Sequence, residues 1–243
     1  MSHLVYGIVF ASCRSHGSDE ALVLPAGVGG APVRLIEEGS LAAAVSTMAP
    51  GDTAPNVARA LSFSRVVEAL HSAQTVLPMR YGCVCRDEAE VVNRLRGRAG
   101  EYAAILRRLD GCAEMGVRIL LPLERTPSGP PLFVEVGGPS GRDYLMRRAA
   151  TYAHAEAARC ALAVSTEHVR QALGGLAVRT AIDHDRENAG LSTVHFLVRR
   201  ASVELFRAEF RRIERMEPAR LLLSGPWPPS SFAVPEQDGS RHD

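Results

Sequence analysis

Few residues in this sequence of 243 residues stand at spacings that chemistry requires. Cys83-Val84-Cys85 puts two thiols on the same side of an extended segment, where they could ligate a soft metal if two further ligands arrived in space. No second Cys or His pair at ligand spacing accompanies them, so the residues imply neither a metal nor a cofactor. Gly27-Val28-Gly29-Gly30 lacks the Lys-Ser/Thr of a phosphate loop and does not enter a periodic helix, which argues against a nucleotide cradle. Among the eight histidines, His71, His154, His168 and His195 fall inside regular elements. No Gly-x-Ser-x-Gly elbow or Cys–His pairing promotes one of them to a base. Glu37-Glu38 lies in a turn, and Asp87, Glu88 and Glu90 favour the positive end of a helix, which explains these carboxylates without catalysis. No catalytic residue emerges, and the chain is expected not to be an enzyme.

Three segments are better suited to contact than to reaction. Ser140-Gly141-Arg142-Asp143-Tyr144 with Arg147-Arg148 could form an anion site at a helix start, against the plainer reading of a turn and a solvated helix face. In Leu77-Pro78-Met79-Arg80-Tyr81-Gly82, an Arg on a Pro-stiffened strand between apolar neighbours must find a carboxylate or backbone carbonyls. Gly225-Pro226-Trp227-Pro228-Pro229 carries the only Trp of the chain among three prolines. That rigidity suits either packing on its own domain or anchoring a partner.

Composition narrows the partners. All 28 basic residues are Arg, spread along the chain and balanced by 27 acidic residues to a net charge of +1. Nucleic acid and anionic membrane are therefore not expected partners. No apolar run reaches eighteen residues and the N-terminus lacks a basic n-region, so a cytoplasmic protein is expected. Five irregularly spaced cysteines fit free structural thiols.

The elements that must position these residues follow from periodicity. His3 to Phe10 is a β-branched and aromatic run that reads as a buried strand. A Gly- and Ser-rich loop over residues 12–31 leads to a hairpin of Pro32–Ile36 and Leu41–Thr47 around Glu37-Glu38-Gly39. Ala60, Phe63, Val67 and Leu70 mark a helix over Asn56–Ala73. Thr75–Val84 is extended, and Asp87 caps one long helix carrying Val91, Leu95, Tyr102, Leu106 and Leu109 as far as Gly111. Cys112–Leu121 is a strand. A Pro- and Gly-rich stretch then precedes a helical, Ala-rich tract over Ser140–Gly174, expected to be split near Val164-Ser165-Thr166 by a new N-cap. A strand pair (Leu176–Asp183, Ser192–Arg199), a helix (Val203–Met216) and a short strand (Arg220–Ser224) complete the pattern. The expected fold class is α+β. Its domains are a ferredoxin-like one over residues 1–121, a linker over 122–138, a second α+β domain with a long helical entry over 139–234, and a flexible tail over 235–243.

Four segments in this order resemble the gas vesicle protein L/F family (GvpF/GvpL): Tyr6-Gly7-Ile8-Val9; Val76-Leu77-Pro78-Met79-Arg80-Tyr81-Gly82; Gly141-Arg142-Asp143-Tyr144-Leu145; and His195-Phe196-Leu197-Val198 with Leu223-Ser224-Gly225-Pro226-Trp227-Pro228-Pro229-Ser230-Ser231-Phe232. The resemblance implies an accessory or minor structural protein of gas vesicle assembly. It implies contact with the small hydrophobic shell protein and other accessory proteins in a chaperone-like or nucleating role, associated with gas vesicles in the cytoplasm. Arg80, Tyr81, Tyr144, Trp227 and Phe232 are the partner-binding candidates. The alternative is a ferredoxin-like module that binds a small regulatory molecule, since fold alone settles no function.

Overall fold

In the computed structural model, the described residues are 1–11, 23–48, 56–121, 141–184 and 190–233, apart from the side chains of 141, 143, 144, 147 and 184. The chain divides into two compact units: Met1–Glu114 with Pro226–Asp243, and Met115–Gly225. The expected linker over 122–138 and the tail over 235–243 lie outside the described residues. Where the sequence suggested two consecutive domains, the chain returns to the first unit after Gly225.

The first unit is built on an antiparallel sheet in the order β2-β3-β1-β4, with β5 also paired to β1. Its strands are β1 (His3–Phe10), β2 (Val33–Glu38), β3 (Leu41–Thr47), β4 (Leu77–Pro78) and β5 (Val84–Cys85). Glu37 and Glu38 belong to β2, and Gly39 with φ +59° makes the turn into β3. β1 and β3 are buried almost throughout, on both faces. Alternate side chains of a strand point to opposite faces. Leu4, Tyr6, Ala42 and Ala44 pack with Phe63, Val66, Val67 and Leu70 of helix α1 (Val57–Ala73). Helices α2 (Glu88–Gly97) and α3 (Ala99–Leu109) contact the same strands and supply the buried Val91, Leu95, Tyr102, Leu106 and Leu109. A continuous apolar run in β1 is what a strand covered on both faces requires. Among the described residues, the connection from β1 to β2 holds only a 3-10 turn, Val28–Gly30, while two helices follow β5. This differs from a plain β-α-β-β-α-β succession.

One long helix was expected from Asp87 to Leu109; the structure breaks it at Arg98, which has φ −123° and ψ 23°. Gly97 and Gly100 flank the break, where glycine weakens helix most. The Asp87 cap forms as expected, its carboxylate accepting from the Glu90 N–H at 2.8 Å. α2 is tied to the β2–β3 hairpin by Arg34–Glu88 at 2.7 Å and Arg96–Glu38 at 2.8 Å.

The second unit contains a four-stranded sheet in the order β7-β8-β6-β9. The strands are β6 (Cys112–Leu120), β7 (Arg179–His184), β8 (Leu191–Arg199) and β9 (Arg220–Trp227), with β7 and β8 antiparallel. Met115, Val117 and Ile119 of β6, Val194, Phe196 and Val198 of β8, and Leu221 of β9 alternate onto one face. Helix α5 (Val203–Glu214) lays Val203, Phe206, Phe210 and Ile213 on that core at three- and four-residue steps. The Phe196 and Phe206 rings meet edge-on with centroids 5.2 Å apart.

Helix α4 (Gly141–Gly174) runs unbroken for 34 residues, a length of about 51 Å at 1.5 Å per residue. The expected interruption at Ser165 and Thr166 is absent: both are buried in mid-helix. With Leu162, Val169 and Leu173 they form the core-facing stripe, at the i, i+3, i+4, i+7 steps of a helix face. They are small residues at a packed surface, not a cap. Leu145, Met146, Tyr152 and Val164 of the same helix are exposed.

Candidate functional site

Tyr6 organises the first unit locally. Its ring is fully buried and stacks on Phe63 at 5.0 Å with an interplanar angle of 25°. Its hydroxyl accepts the Val28 N–H at 2.8 Å and is 2.8 Å from Ser46 Oγ. A Cβ at residue 27 would lie 2.2 Å from that hydroxyl, so only Gly27 lets the turn close on Tyr6. The Gly27–Gly30 segment is thus a lid on a core tyrosine, and the Val28 amide is already engaged.

Phe63 extends the aromatic chain, meeting Tyr81 edge-on at 5.4 Å and 87°. Tyr81 reaches it because the chain turns between β4 and β5, with Gly82 at φ +89° and the Cys83 N–H donating to the Arg80 carbonyl at 3.1 Å. β4 approaches β1 closely because Gly7 stands opposite Pro78; a Cβ on Gly7 would lie 2.7 Å from Val76 Cγ2. Pro78 is tolerated since this is a sheet edge, where its missing N–H breaks no ladder.

The C-terminal segment returns to this unit at Pro226. Gly225 has φ +106°, Trp227 ends β9, and a 3-10 turn, Ser230–Phe232, follows Pro228-Pro229. Glu114, buried to 6% exposure, holds that turn: its carboxylate accepts the Ser231 N–H and the Ser231 hydroxyl, each at 2.8 Å. Phe232 is buried at 6% exposure, whereas Trp227 is 47% exposed.

Together these elements form an open groove of about 220 Å³, lined by Phe63, Val67 and Glu68 of α1, Met79 after β4, and Trp227 with Pro228. The lining offers the indole, aliphatic and thioether surfaces, the serines Ser64 and Ser230, and one carboxylate. Such a surface can seat a side chain. Ligand pockets for small molecules run to roughly 300–1,000 Å³, so the groove fits a protein contact better than a metabolite.

The structure brings together two of the four sequence markers and the end of another: Tyr6-Gly7, Pro78 to Tyr81, and Trp227 to Phe232 all meet around Phe63 and β4 or anchor the groove beside them. Of the candidate contact residues, Trp227 lines the groove and Tyr81 sits half-buried behind Phe63. The Tyr81 hydroxyl is buried without a hydrogen-bond partner among the described residues. Arg80 is exposed in the turn, so water solvates it and the expected need for an internal partner disappears. Phe232 anchors the segment from below. Tyr144 falls in the first turn of α4, and its side chain lies outside the described residues. Sequence reasoning overlooked Glu68 and Glu114. The second had a signal: a carboxylate interrupting the apolar strand Cys112–Leu120 must be exposed or hydrogen-bonded.

Cys83 is half-buried and receives a hydrogen bond from Arg94 Nη1 at 3.0 Å, while Cys85 is buried. Burial pushes the Cys85 thiol above its ordinary pKa, with Arg94 opposing. Among the described residues, no group of three His, Cys, Asp or Glu side chains is placed to hold a metal. None of their helices is long and apolar enough to cross a membrane.

Comparison with known proteins adds the relationships. The sequence model of the family described as gas vesicle synthesis protein GvpL/GvpF matches residues 2–234. The chain is 30% identical over 242 residues to gas vesicle protein L of Streptomyces sp. (strain CB03234), covering 87% of each. It is 30% identical over 253 residues to gas vesicle protein F of the same strain, covering 96% of this chain and 99% of the relative. The crystal structure of GvpF from Anabaena sp. PCC7120 shares the fold with TM-score 0.68 at 17% identity, covering 99% of both chains. That of GvpF from Microcystis aeruginosa does so with TM-score 0.69 at 16% identity, covering 96% of this chain and 99% of that one.

Proposed function

Because the chain belongs to the gas vesicle synthesis protein GvpL/GvpF family, and so has its role in gas vesicle assembly, we propose that it works there by binding the small hydrophobic shell protein. The binding is chaperone-like or nucleating: a rigid apolar surface holds an aggregation-prone subunit until it joins the growing vesicle in the cytoplasm. The observation that carries this reading is the half-exposed Trp227, held at a largely apolar groove by a segment that Glu114 and Phe232 pin down. A large aromatic group fixed before binding loses little conformational entropy on contact, the property of an interface anchor. The exposed Leu145, Met146, Tyr152 and Val164 of α4 add further apolar surface. The family is one of structural and assembly proteins, which agrees with a binding role.

The test is retention of tagged shell protein on this chain when the two are produced together, with and without Trp227→Ala. Retention by the parent chain, reduced in the variant, is the expected result. If the parent chain retains no shell protein while both stay soluble, the proposal is wrong.

A further inference from the structure

We propose that the groove at Trp227 receives an arginine side chain of a partner polypeptide, its guanidinium stacked on the indole and paired with the Glu68 carboxylate. The starting point is a charge left over. Glu68 is half-buried in the groove wall, and among the described residues its carboxylate makes no ion pair. The other half-buried glutamates of the described chain all have an arginine or histidine partner. Glu38 pairs with Arg96 at 2.8 Å, Glu90 with Arg86 at 2.9 Å, Glu101 with Arg98 at 2.6 Å and Glu209 with Arg212 at 2.6 Å. Glu217 meets His168 at 2.7 Å. A carboxylate partly withdrawn from water in apolar surroundings gains most from a cation brought to it.

The second observation is what stands beside that carboxylate. Trp227 brings an indole, the best aromatic partner for a guanidinium, and the rest of the lining is apolar apart from Ser64 and Ser230. Arginine matches this set better than lysine does: its planar, weakly hydrated head stacks on an aromatic ring while donating to a carboxylate. Its three methylenes can lie along Phe63, Val67 and Met79. The chain already contains the same combination filled from within. The Arg98 guanidinium lies 5.1 Å from the Tyr102 ring centroid while Nε and Nη2 donate to the two oxygens of Glu101 at 2.7 and 2.6 Å. Trp227 and Glu68 repeat the aromatic and the acid without the arginine. The inference rests on reading the Trp227 segment as a docking surface, and not on which polypeptide supplies the side chain.

Trp227 is the only tryptophan of the chain, so its fluorescence reports on the groove alone. The experiment titrates the intact protein with a short capped peptide holding one arginine, with its citrulline and lysine counterparts as controls. The expected result is a saturable change in Trp227 emission with the arginine peptide. Binding should be about tenfold weaker with citrulline, which keeps the shape and loses the charge, and about tenfold weaker to Glu68→Gln. The lysine peptide should bind more weakly than the arginine peptide. A flat arginine titration, equal binding of citrulline or lysine, or undiminished binding to Glu68→Gln would overturn the inference. Shell protein retained through Trp227 alongside a flat arginine titration would leave the assembly role standing and remove only this contact. Arginine binding without shell retention would do the reverse.

Discussion

Replacing Glu114 with Ala tests whether one buried carboxylate fixes the whole C-terminal segment. The hydrogen bonds that tie the segment to it come from the Ser231 N–H and hydroxyl, both at 2.8 Å. Bonds to a charged acceptor contribute about 1.5–3 kcal/mol each, and the Ser231 donors would be left without it. Removing the acid also removes the cost of burying it, so the net loss is about 2–4 kcal/mol. The assay is urea unfolding followed at Trp227 and, in parallel, by far-ultraviolet circular dichroism. With a slope of about 2 kcal/mol/M, the fluorescence midpoint of Glu114→Ala should fall by about 1–2 M. The part of the backbone signal lost with the first unit should shift by the same amount, because a slope of that size belongs to unfolding of the whole unit and not of the segment alone. Ser231→Ala retains the N–H bond and should lose only about 1 kcal/mol. A Glu114→Ala fluorescence midpoint within about 0.3 M of the parent would refute the reasoning.

The remaining predictions concern single buried groups. Thr166 Oγ1 is buried in α4 with no hydrogen-bond partner among the described residues, so Thr166→Val, nearly equal in shape, should raise the urea-unfolding stability by about 1 kcal/mol; a loss of stability would show that the hydroxyl is satisfied after all. His3 is buried, and its pKa lies below 6.5 chiefly through desolvation, then through the Arg34 charge, with Glu88 and Asp87 opposing and the N-terminus adding to Arg34. The unfolded chain therefore takes up a proton that the folded chain refuses, and stability should fall as pH drops below 6.5, by at most about 1.4 kcal/mol per pH unit from this group. His3→Gln should flatten that part of the profile, and an unchanged slope would exclude His3 as its source.

Local rules carried the sequence reading where one signal decided the matter. The β2–β3 hairpin follows from Gly39, whose φ of +59° few other residues adopt, and the α1 face from the spacing of Phe63, Val67 and Leu70. They misled where two signals competed. The apolar period of Val91, Leu95, Tyr102 and Leu106 runs on across Arg98, so periodicity alone hides the break. Ser165 and Thr166 have the chemistry of an N-cap, and only the neighbouring core reveals that they lie on the packed stripe of α4. The strand expected over Arg220–Ser224 continues to Trp227, proline being accepted in strands at their edges and ends. The groove was hidden for a different reason. Its residues come from positions 63–68, 78–79 and 227–230, and nothing local in any of these segments points to the others.

The return of the chain to its first unit at Pro226 has a consequence for synthesis on the ribosome. A growing chain has α1 and the β4 turn in place long before Trp227 and Pro228 exist. At roughly 5–20 residues per second, making the second unit delays their arrival by about 5–20 s. Over that interval the first unit lacks its closing segment, and the Glu114 carboxylate waits for Ser231. The groove therefore exists only in chains made past Pro228, and a partner that recognises it passes over shorter nascent ones.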